Sequence, residues 1–132
     1  MASVHRAVPL DVSAEVAWQA IRDVEGTARL FPGVLADCRI EEGARIVTFA
    51  NGLVARELIV EVDEARRRLV YAVVGGRMTQ HNASLQVFEV AGGACRVVWI
   101  ADFLPDAMQG AVEALTDAGV AAMQRALVPH AP

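Results

Sequence analysis

Two ionisable residues in the second half of the chain have the types that acid–base chemistry requires. His81 and Asp102 lie on either side of the glycine pair Gly92-Gly93, in segments whose other residues are largely apolar. A carboxylate beside a histidine fixes the tautomer of the imidazole and raises its basicity, so the ring can serve as a general base. These residue types predict proton transfer on a bound substrate, provided that the two side chains meet.

The length of the loop at Gly92-Gly93 decides whether they meet. A two-residue hairpin loop pairs Leu85 with Ile100 and places His81 and Asp102 on the same face, about 7 to 8 Å apart at the backbone on a diagonal. Because the other residues on that face are apolar, we expect it to be the inner face of a sheet. The histidine and the aspartate would then face a buried space together, as a catalytic pair or as a purely structural contact.

A register shift of one residue is the alternative. It leaves His81 on the inner face but places Trp99 and Phe103 there instead of Ile100 and Asp102. The reason is that successive strand residues point to opposite faces. Without the shift, Trp99 lies on the outer face. It is then a packing residue, a platform for a ligand or part of a surface for a partner protein.

The preceding hairpin contributes an arginine. The alternation of Leu58 and Val60 predicts that these residues face inward together with Arg56, whereas Glu57 and Ile59 face outward. A guanidinium at the mouth of a cavity could hold a carboxylate or a phenolate of a ligand. The alternative is a surface arginine at a strand end.

Several other chemistries are excluded or not indicated. The basic residues other than histidine are all arginines, so a lysine Schiff base is not possible. Cys38 and Cys95 are far apart, and the three histidines lack metal-ligand spacing, so we expect reduced thiols and no metal. No phosphate-binding or dinucleotide motif is present, and we expect no cofactor. Tyr71 is either a packed aromatic or a proton donor.

Composition limits the classes of partner. A length of 132 residues predicts one domain over residues 1–132, and a net charge of -4 with a pI near 5.3 argues against a nucleic-acid partner. The basic run at 66–68 lies next to acidic residues and is typical of a solvated turn. The sequence lacks a signal-peptide or membrane-spanning stretch, so we expect a cytoplasmic protein without stable membrane insertion.

Hydrophobic periodicity gives the order of the elements: one strand, two short helices, six strands and one long helix. Six consecutive strands joined by tight turns must form an antiparallel sheet, which the first strand extends to seven. The predicted bounds are strand Val4–Pro9, helices Ala14–Arg22 and Thr27–Leu30, and strands Val34–Glu41, Ala44–Ala50, Leu53–Val62, Arg68–Val74, Met78–Val90 and Ala94–Phe103.

The long helix is predicted from Pro105 to Leu127, with His130 and Pro132 beyond its end. Its polar face includes Thr116. The opposite face is apolar and unusually rich in small residues, so it either packs very closely against the curved sheet or leaves room for a ligand. We expect the second arrangement, in which this face is one wall of a cavity. That face carries Met108, Ala111, Val112, Leu115, Ala118, Gly119, Ala122, Met123 and Ala126.

Several segments together carry a resemblance to a known superfamily. They are the Val4–Pro9 strand with Val16-Ala17-Trp18, the break at 30–33, Asn51-Gly52 before Arg56-Glu57-Leu58, the 63–71 turn and strand, Val98-Trp99 and the terminal helix. With this order of elements, the chain resembles the START-like or SRPBCC superfamily, and within it the polyketide cyclase/dehydrase-type proteins, over essentially its whole length. The resemblance implies an α+β helix-grip fold, in which a curved seven-stranded antiparallel sheet wraps around a long C-terminal helix, with two short helices after the first strand. It also implies a deep apolar cavity for lipids, sterols or polyketides.

Three functions remain open. The first is binding or carriage of a small hydrophobic molecule without chemistry. The second is a cyclase- or dehydratase-like reaction in which His81 and Asp102 move a proton and Arg56 steadies an enolate. The third is a protein-interaction module that uses Trp99. A homodimer is also left open. The residues predicted to line the ligand site are Arg56, Leu58, Val60, Tyr71, Ala72, His81, Leu85, Val87, Ile100, Asp102, Met108, Val112, Leu115 and Gly119.

Overall fold

The computed structural model describes residues 2–129 and shows a seven-stranded antiparallel sheet with the strand order β1-β7-β6-β5-β4-β3-β2. The sheet and the long helix behind it confirm the α+β helix-grip fold. His130 and Pro132 lie outside the described residues. The strands are β1 (Ala2–Leu10), β2 (Leu35–Glu41), β3 (Ala44–Phe49), β4 (Val54–Asp63), β5 (Arg68–Val74), β6 (Gln80–Glu89) and β7 (Cys95–Leu104); the helices are α1 (Ala14–Arg22), α2 (Thr27–Leu30) and α3 (Gln109–Ala126), with 3₁₀ turns at Val24–Gly26, Ala91–Gly93 and Asp106–Met108.

The turn at Asn51-Gly52 shows why the chain folds into hairpins. Gly52 has φ +90°, a left-handed conformation that favours glycine, and its N–H donates to the carbonyl of Phe49 at 2.9 Å. The side chain of Asn51 accepts from the N–H of Leu53 at 3.0 Å. The predicted hairpin between β3 and β4 is therefore confirmed.

The main hydrophobic core lies between α1 and the inner faces of β1, β6 and β7. The side chain of Ser13 caps α1 by accepting from the N–H of Val16 at 3.1 Å, and the helix buries Trp18 and Ile21 against the sheet. Leu85 and Val87 of β6 belong to this core.

The β6–β7 connection corrects the predicted register. The loop has three residues, the 3₁₀ turn Ala91–Gly93, and the N–H of Val90 donates to the carbonyl of Ala94 at 3.2 Å. Adding one residue to a loop reverses the face to which every residue of the next strand points. Leu85 therefore pairs with Trp99 and not with Ile100. The predicted pairing is wrong, and the alternative shift of one residue is correct.

A bulge in β4 contradicts the prediction of which β4 residues face inward. The pairing with β5 shifts between Ile59 and Glu61, which leaves Val60 as the extra residue. Val62 pairs with the buried Leu69, but on the other side of the bulge the inner face carries Ile59. The predicted inward face of Arg56, Leu58 and Val60 is therefore wrong.

The buried face of α3 is rotated relative to the prediction. Val112, Thr116, Gly119 and Met123 are buried, whereas Ala118 is exposed. Thr116, which was predicted on the polar face, satisfies its hydroxyl by donating to the carbonyl of Val112 at 2.8 Å. A threonine can be buried in a helix when its hydroxyl has this partner, and the sequence pattern does not reveal it.

Candidate ligand-binding cavity

A cavity of about 420 Å³ lies between α3 and the inner faces of β3 to β7. Its mouth is formed by the tip of the β3–β4 hairpin, the β5–β6 loop and the first turns of α3. The exposed residues at this mouth include Leu53, Val54, Gly76, Arg77 and Leu115. The cavity is therefore accessible from solvent at the end of the sheet where these loops lie.

The closed end of the cavity is formed by Trp99, Phe31 and Gly119. The rings of Trp99 and Phe31 are 5.4 Å apart between centroids, and both side chains line the cavity. A Cβ atom on Gly119 would lie 2.7 Å from Cη2 of Trp99, closer than carbon atoms can approach. Glycine is therefore required here so that the indole can pack against the helix.

This contact changes the role of the small residues on α3. The glycine allows close packing with Trp99, and Ala122 is fully buried. Open space lies instead beside the first half of the helix, where Met108, Ala111 and Val112 line the cavity.

The wall of the cavity contains a buried ion pair. Arg45 of β3 and Glu57 of β4 are directly opposed on the inner face, and Nε of Arg45 donates to Oε1 of Glu57 at 2.7 Å. Their side chains are 3% and 12% exposed. The guanidinium lies over the ring of Tyr71, 5.0 Å from its centroid. We refer to Arg45, Glu57 and Tyr71 as the polar cluster.

The electrostatics of the polar cluster keep the tyrosine protonated. Burial raises the pKa of the Tyr71 hydroxyl, and the nearby charge of Glu57 raises it further, whereas Arg45 and a hydrogen bond from the side chain of Trp99 act in the opposite direction. Tyr71 is thus a neutral hydroxyl at physiological pH. The cluster offers donors from Arg45 and Tyr71 and an acceptor from Glu57.

His81 lines the cavity near the β5–β6 loop and packs edge-on against Phe103, with the ring centroids 6.0 Å apart. Burial lowers the pKa of the imidazole, so the neutral ring is favoured. Within residues 2–129, His81 forms no hydrogen bond or ion pair with another side chain. It is positioned to accept a proton or a hydrogen bond from a ligand.

Asp102 does not meet His81. It is exposed on the outer face of β7, where it accepts a hydrogen bond from Oγ of Ser3 at 2.5 Å. The two side chains are on opposite sides of the sheet because of the three-residue loop before β7. The predicted acid–base pair does not form.

The remaining predicted site residues fall into three groups. Tyr71, Met108, Val112, Leu115 and Gly119 line the cavity together with His81. Leu85 and Val87 are on the inner face, but they belong to the core beside α1 and do not line the cavity. The residues on the outer face, contrary to prediction, are Arg56, Leu58, Val60, Ala72 and Ile100, in addition to Asp102.

Arg56 shows how the outer face differs from the cavity wall. Its guanidinium pairs with Glu41 at 3.2 Å, and both side chains are more than 40% exposed. It cannot hold a ligand inside the cavity. The bulge at Val60 accounts for this error, because it reverses the faces of all β4 residues that precede it.

Sequence reasoning missed Arg45 and assigned Glu57 to the outside. A signal was nevertheless present. Arg45 interrupts the apolar run from Ala44 to Val47, and a charged residue in such a run is buried only with a partner. Glu57, on the other side of the Asn51-Gly52 turn, is at a suitable distance to be that partner.

Two further properties concern the described part of the chain. Among residues 2–129, no three or more His, Cys, Asp or Glu side chains are grouped so as to hold a metal ion. None of the helices in this range is long and apolar enough to cross a membrane.

The helix-grip fold with an internal cavity defines a class of ligand-binding proteins, and the sequence comparison identifies the family. Residues 1–128 match the model of the family described as polyketide cyclase / dehydrase and lipid transport. The chain belongs to this family, and through it to the START-like/SRPBCC superfamily. Comparison with curated proteins gave no significant match.

Similar solved structures support the fold. Protein XoxI from Bacillus cereus has a TM-score of 0.88 at 19% identity, with 96% of both chains covered. Norcoclaurine synthase from Thalictrum flavum has a TM-score of 0.75 at 17% identity, over 98% of this chain and 95% of the enzyme. The di-domain ARO/CYC BexL from the BE-7585A biosynthetic pathway has a TM-score of 0.81 at 16% identity, over 95% of this chain and 46% of BexL. At these identities the similarity establishes the fold alone.

Proposed function

We propose that the protein binds a small, mainly apolar molecule inside the cavity and does no chemistry on it. The observation that carries this proposal is a solvent-accessible cavity of about 420 Å³ with mostly apolar walls and a buried polar cluster. Cavities that bind small molecules commonly have volumes of roughly 300–1,000 Å³ and a few convergent polar groups among apolar residues. The Arg45–Glu57 pair supplies such groups.

The shape of the site favours a lipid, a polyketide or an aromatic metabolite. Trp99 and Phe31 give the closed end flat aromatic surfaces, and Tyr71 adds a third aromatic ring to the lining. The mouth is bordered by apolar side chains such as Leu53 and Val54. The family description, which names polyketide cyclase, dehydrase and lipid transport, supports the same range of ligands. A ring system or an acyl chain would enter between the hairpin tip and α3.

An enzymatic function is the second candidate, and His81 is the observation that favours it. A neutral imidazole facing an apolar cavity is a competent general base, and Tyr71 lines the same space as a hydrogen-bond donor. In this version of a cyclase- or dehydratase-like reaction, Asp102 has no role.

The interaction module that was predicted around Trp99 is not favoured. The indole lies on the inner face, in contact with Phe31 and α3, and is not available to a partner protein on the outer face of the sheet.

Ligand binding can be tested with the tryptophans of the protein. Trp99 lines the cavity, whereas Trp18 is buried in α1 away from it. A Trp18→Phe variant leaves Trp99 as the tryptophan that reports on the cavity, and we expect its fluorescence to change saturably on titration with a panel of lipids and polyketide-like aromatics. Native mass spectrometry of the same samples should show a one-to-one adduct. No fluorescence change and no adduct across the panel would contradict binding.

The two candidate functions differ in the effect of one substitution. If the protein only binds its ligand, His81→Asn changes affinity alone. If it is an enzyme, the same substitution lowers turnover of a converted ligand by about 10²-fold or more while binding persists. Asp102→Asn is the matched control, because Asp102 lies on the outer face, and it should alter neither quantity. An absence of turnover for every ligand that binds would remove the enzymatic function.

A further inference from the structure

We propose that the polar group which the cavity selects is uncharged, so that the protein prefers an alcohol, phenol or ketone to a carboxylate of the same size. This inference rests on the proposed binding function and specifies the class of ligand. It follows from the pairing of Arg45 with Glu57, which gives the wall of the cavity two opposite charges and no net charge.

Both charges of the pair are withdrawn from solvent. Arg45 is almost completely buried and Glu57 nearly so, and the guanidinium and carboxylate are in direct contact at 2.7 Å. Opposite charges so close in a poorly solvated site attract each other strongly. An arginine without such a partner would attract an anionic ligand, but this arginine already has its anion.

The polar cluster keeps hydrogen-bonding groups for a ligand. The bond to Glu57 uses Nε of Arg45, and the structure shows no further hydrogen bond of this guanidinium within residues 2–129. Tyr71 and Glu57 line the same cavity as Arg45. A hydroxyl group can donate to Glu57 and accept from Arg45, and a carbonyl can accept from Arg45 or Tyr71.

An added negative charge is penalised at the polar cluster. A carboxylate placed at the polar cluster would lie beside Glu57 as a second anion, with one arginine shared between them. Like charges in a desolvated site repel strongly, and a buried charge without its own partner is costly.

The other groups that face the cavity do not compensate for this penalty. His81 is kept neutral by burial, which lowers its pKa. Arg77 is at the exposed mouth, where solvent weakens ion pairs. A carboxylate therefore finds no free buried cation among the described residues that line the cavity.

The test compares matched pairs of probes on the purified full chain at pH 7 by isothermal titration calorimetry: 2-naphthol with 2-naphthoate, and 1-decanol with decanoate. We expect the neutral member of each pair to bind about tenfold more tightly or better, since a buried, unpaired charge is strongly disfavoured. Equal or tighter binding of the acids would overturn this inference and leave the proposed binding function intact. No binding of any probe would overturn both.

A charge-removing substitution reverses the expected preference. Glu57→Gln keeps the shape of the side chain but leaves Arg45 as an unneutralised cation, so the affinity for 2-naphthoate should rise about tenfold or more while that for 2-naphthol changes little. Glu41→Gln, at the exposed pair with Arg56, is the matched control and should leave both affinities unchanged.

The substitution can also weaken the fold, so each variant is first checked by circular dichroism. If Glu57→Gln is unstable, the midpoint of its thermal unfolding in the presence of each probe replaces the calorimetric measurement. Naphthoate should then raise the midpoint more than naphthol does. If folded Glu57→Gln still prefers 2-naphthol to 2-naphthoate as strongly as the wild type does, the proposal is contradicted.

Discussion

The indole of Trp99 packs directly on the backbone of Gly119, in a space that a single methyl group would fill. This contact closes the cavity and fixes the distance between the sheet and the long helix. Because Trp99 also contacts Phe31, the three residues connect β7, α3 and the end of α2. The depth of the cavity is therefore determined by packing that a small substitution can disturb.

Gly119→Ala should destabilise the protein by about 1–3 kcal/mol, because the new Cβ overlaps the Trp99 ring and this strain exceeds the gain in helix propensity. Gly110→Ala is the matched control, since a Cβ at that position of the same helix meets no atom within 4 Å. The control should be neutral or more stable by up to about 1 kcal/mol. Urea unfolding of both variants measures the difference, and equal stabilities would show that Trp99 adjusts without cost.

Breaking the buried ion pair should be far more damaging than replacing it. Arg45→Met leaves Glu57 buried without its cation and should reduce the free energy of unfolding by about 3–5 kcal/mol, whereas the double variant Arg45→Met, Glu57→Leu should recover most of this loss. The exposed pair of Arg56 and Glu41 should change stability by no more than about 1 kcal/mol when one partner is removed. Urea titrations measure all of these free energies of unfolding. If the double variant is as unstable as Arg45→Met alone, Arg45 and Glu57 are not coupled as the structure indicates.

The buried histidine should make stability fall on mild acidification. The pKa of His81 is lowered in the folded state, so the unfolded chain binds more protons once the pH drops below the ordinary histidine value of about 6.5. His81 therefore costs nothing above that pH, and its penalty grows below it until the lowered folded pKa is passed.

The wild type should accordingly lose more stability between pH 7.5 and pH 5.5 than His81→Asn does. Unfolding experiments across this range test the difference. Asp63 and Asp117 also have lowered pKa values, through hydrogen bonds from arginines, but their contributions are lost only at more acidic pH. If the free energy of unfolding depends on pH in the same way for the wild type and His81→Asn, the imidazole is not desolvated.

The sequence was sufficient to predict the fold because the relevant signals are local and repeated. The glycine-containing turns, the change of hydrophobic period and the proline before the last helix gave the number and order of the elements. The bounds of α1, α2 and β5 coincide with those predicted, and the other strands differ by one or two residues at their ends.

The composition of the site could not be predicted equally well, because it depends on which face each residue occupies. One extra residue in the 91–93 loop moved Trp99 into the cavity and Asp102 out of it. One bulge at Val60 moved Glu57 inward and Arg56 outward. Both features change the face of a whole strand segment, and neither has a strong signature in a single sequence.

The most direct measurement of the central claim is ligand binding after the cavity has been filled by a side chain. Val73 and Val70 lie on the same strand, but Val73 faces the cavity and Val70 faces outward. If the ligand occupies the cavity, Val73→Phe should weaken binding of a panel ligand about tenfold or more while Val70→Phe leaves it unchanged. Unchanged affinity in folded Val73→Phe would contradict binding in this cavity.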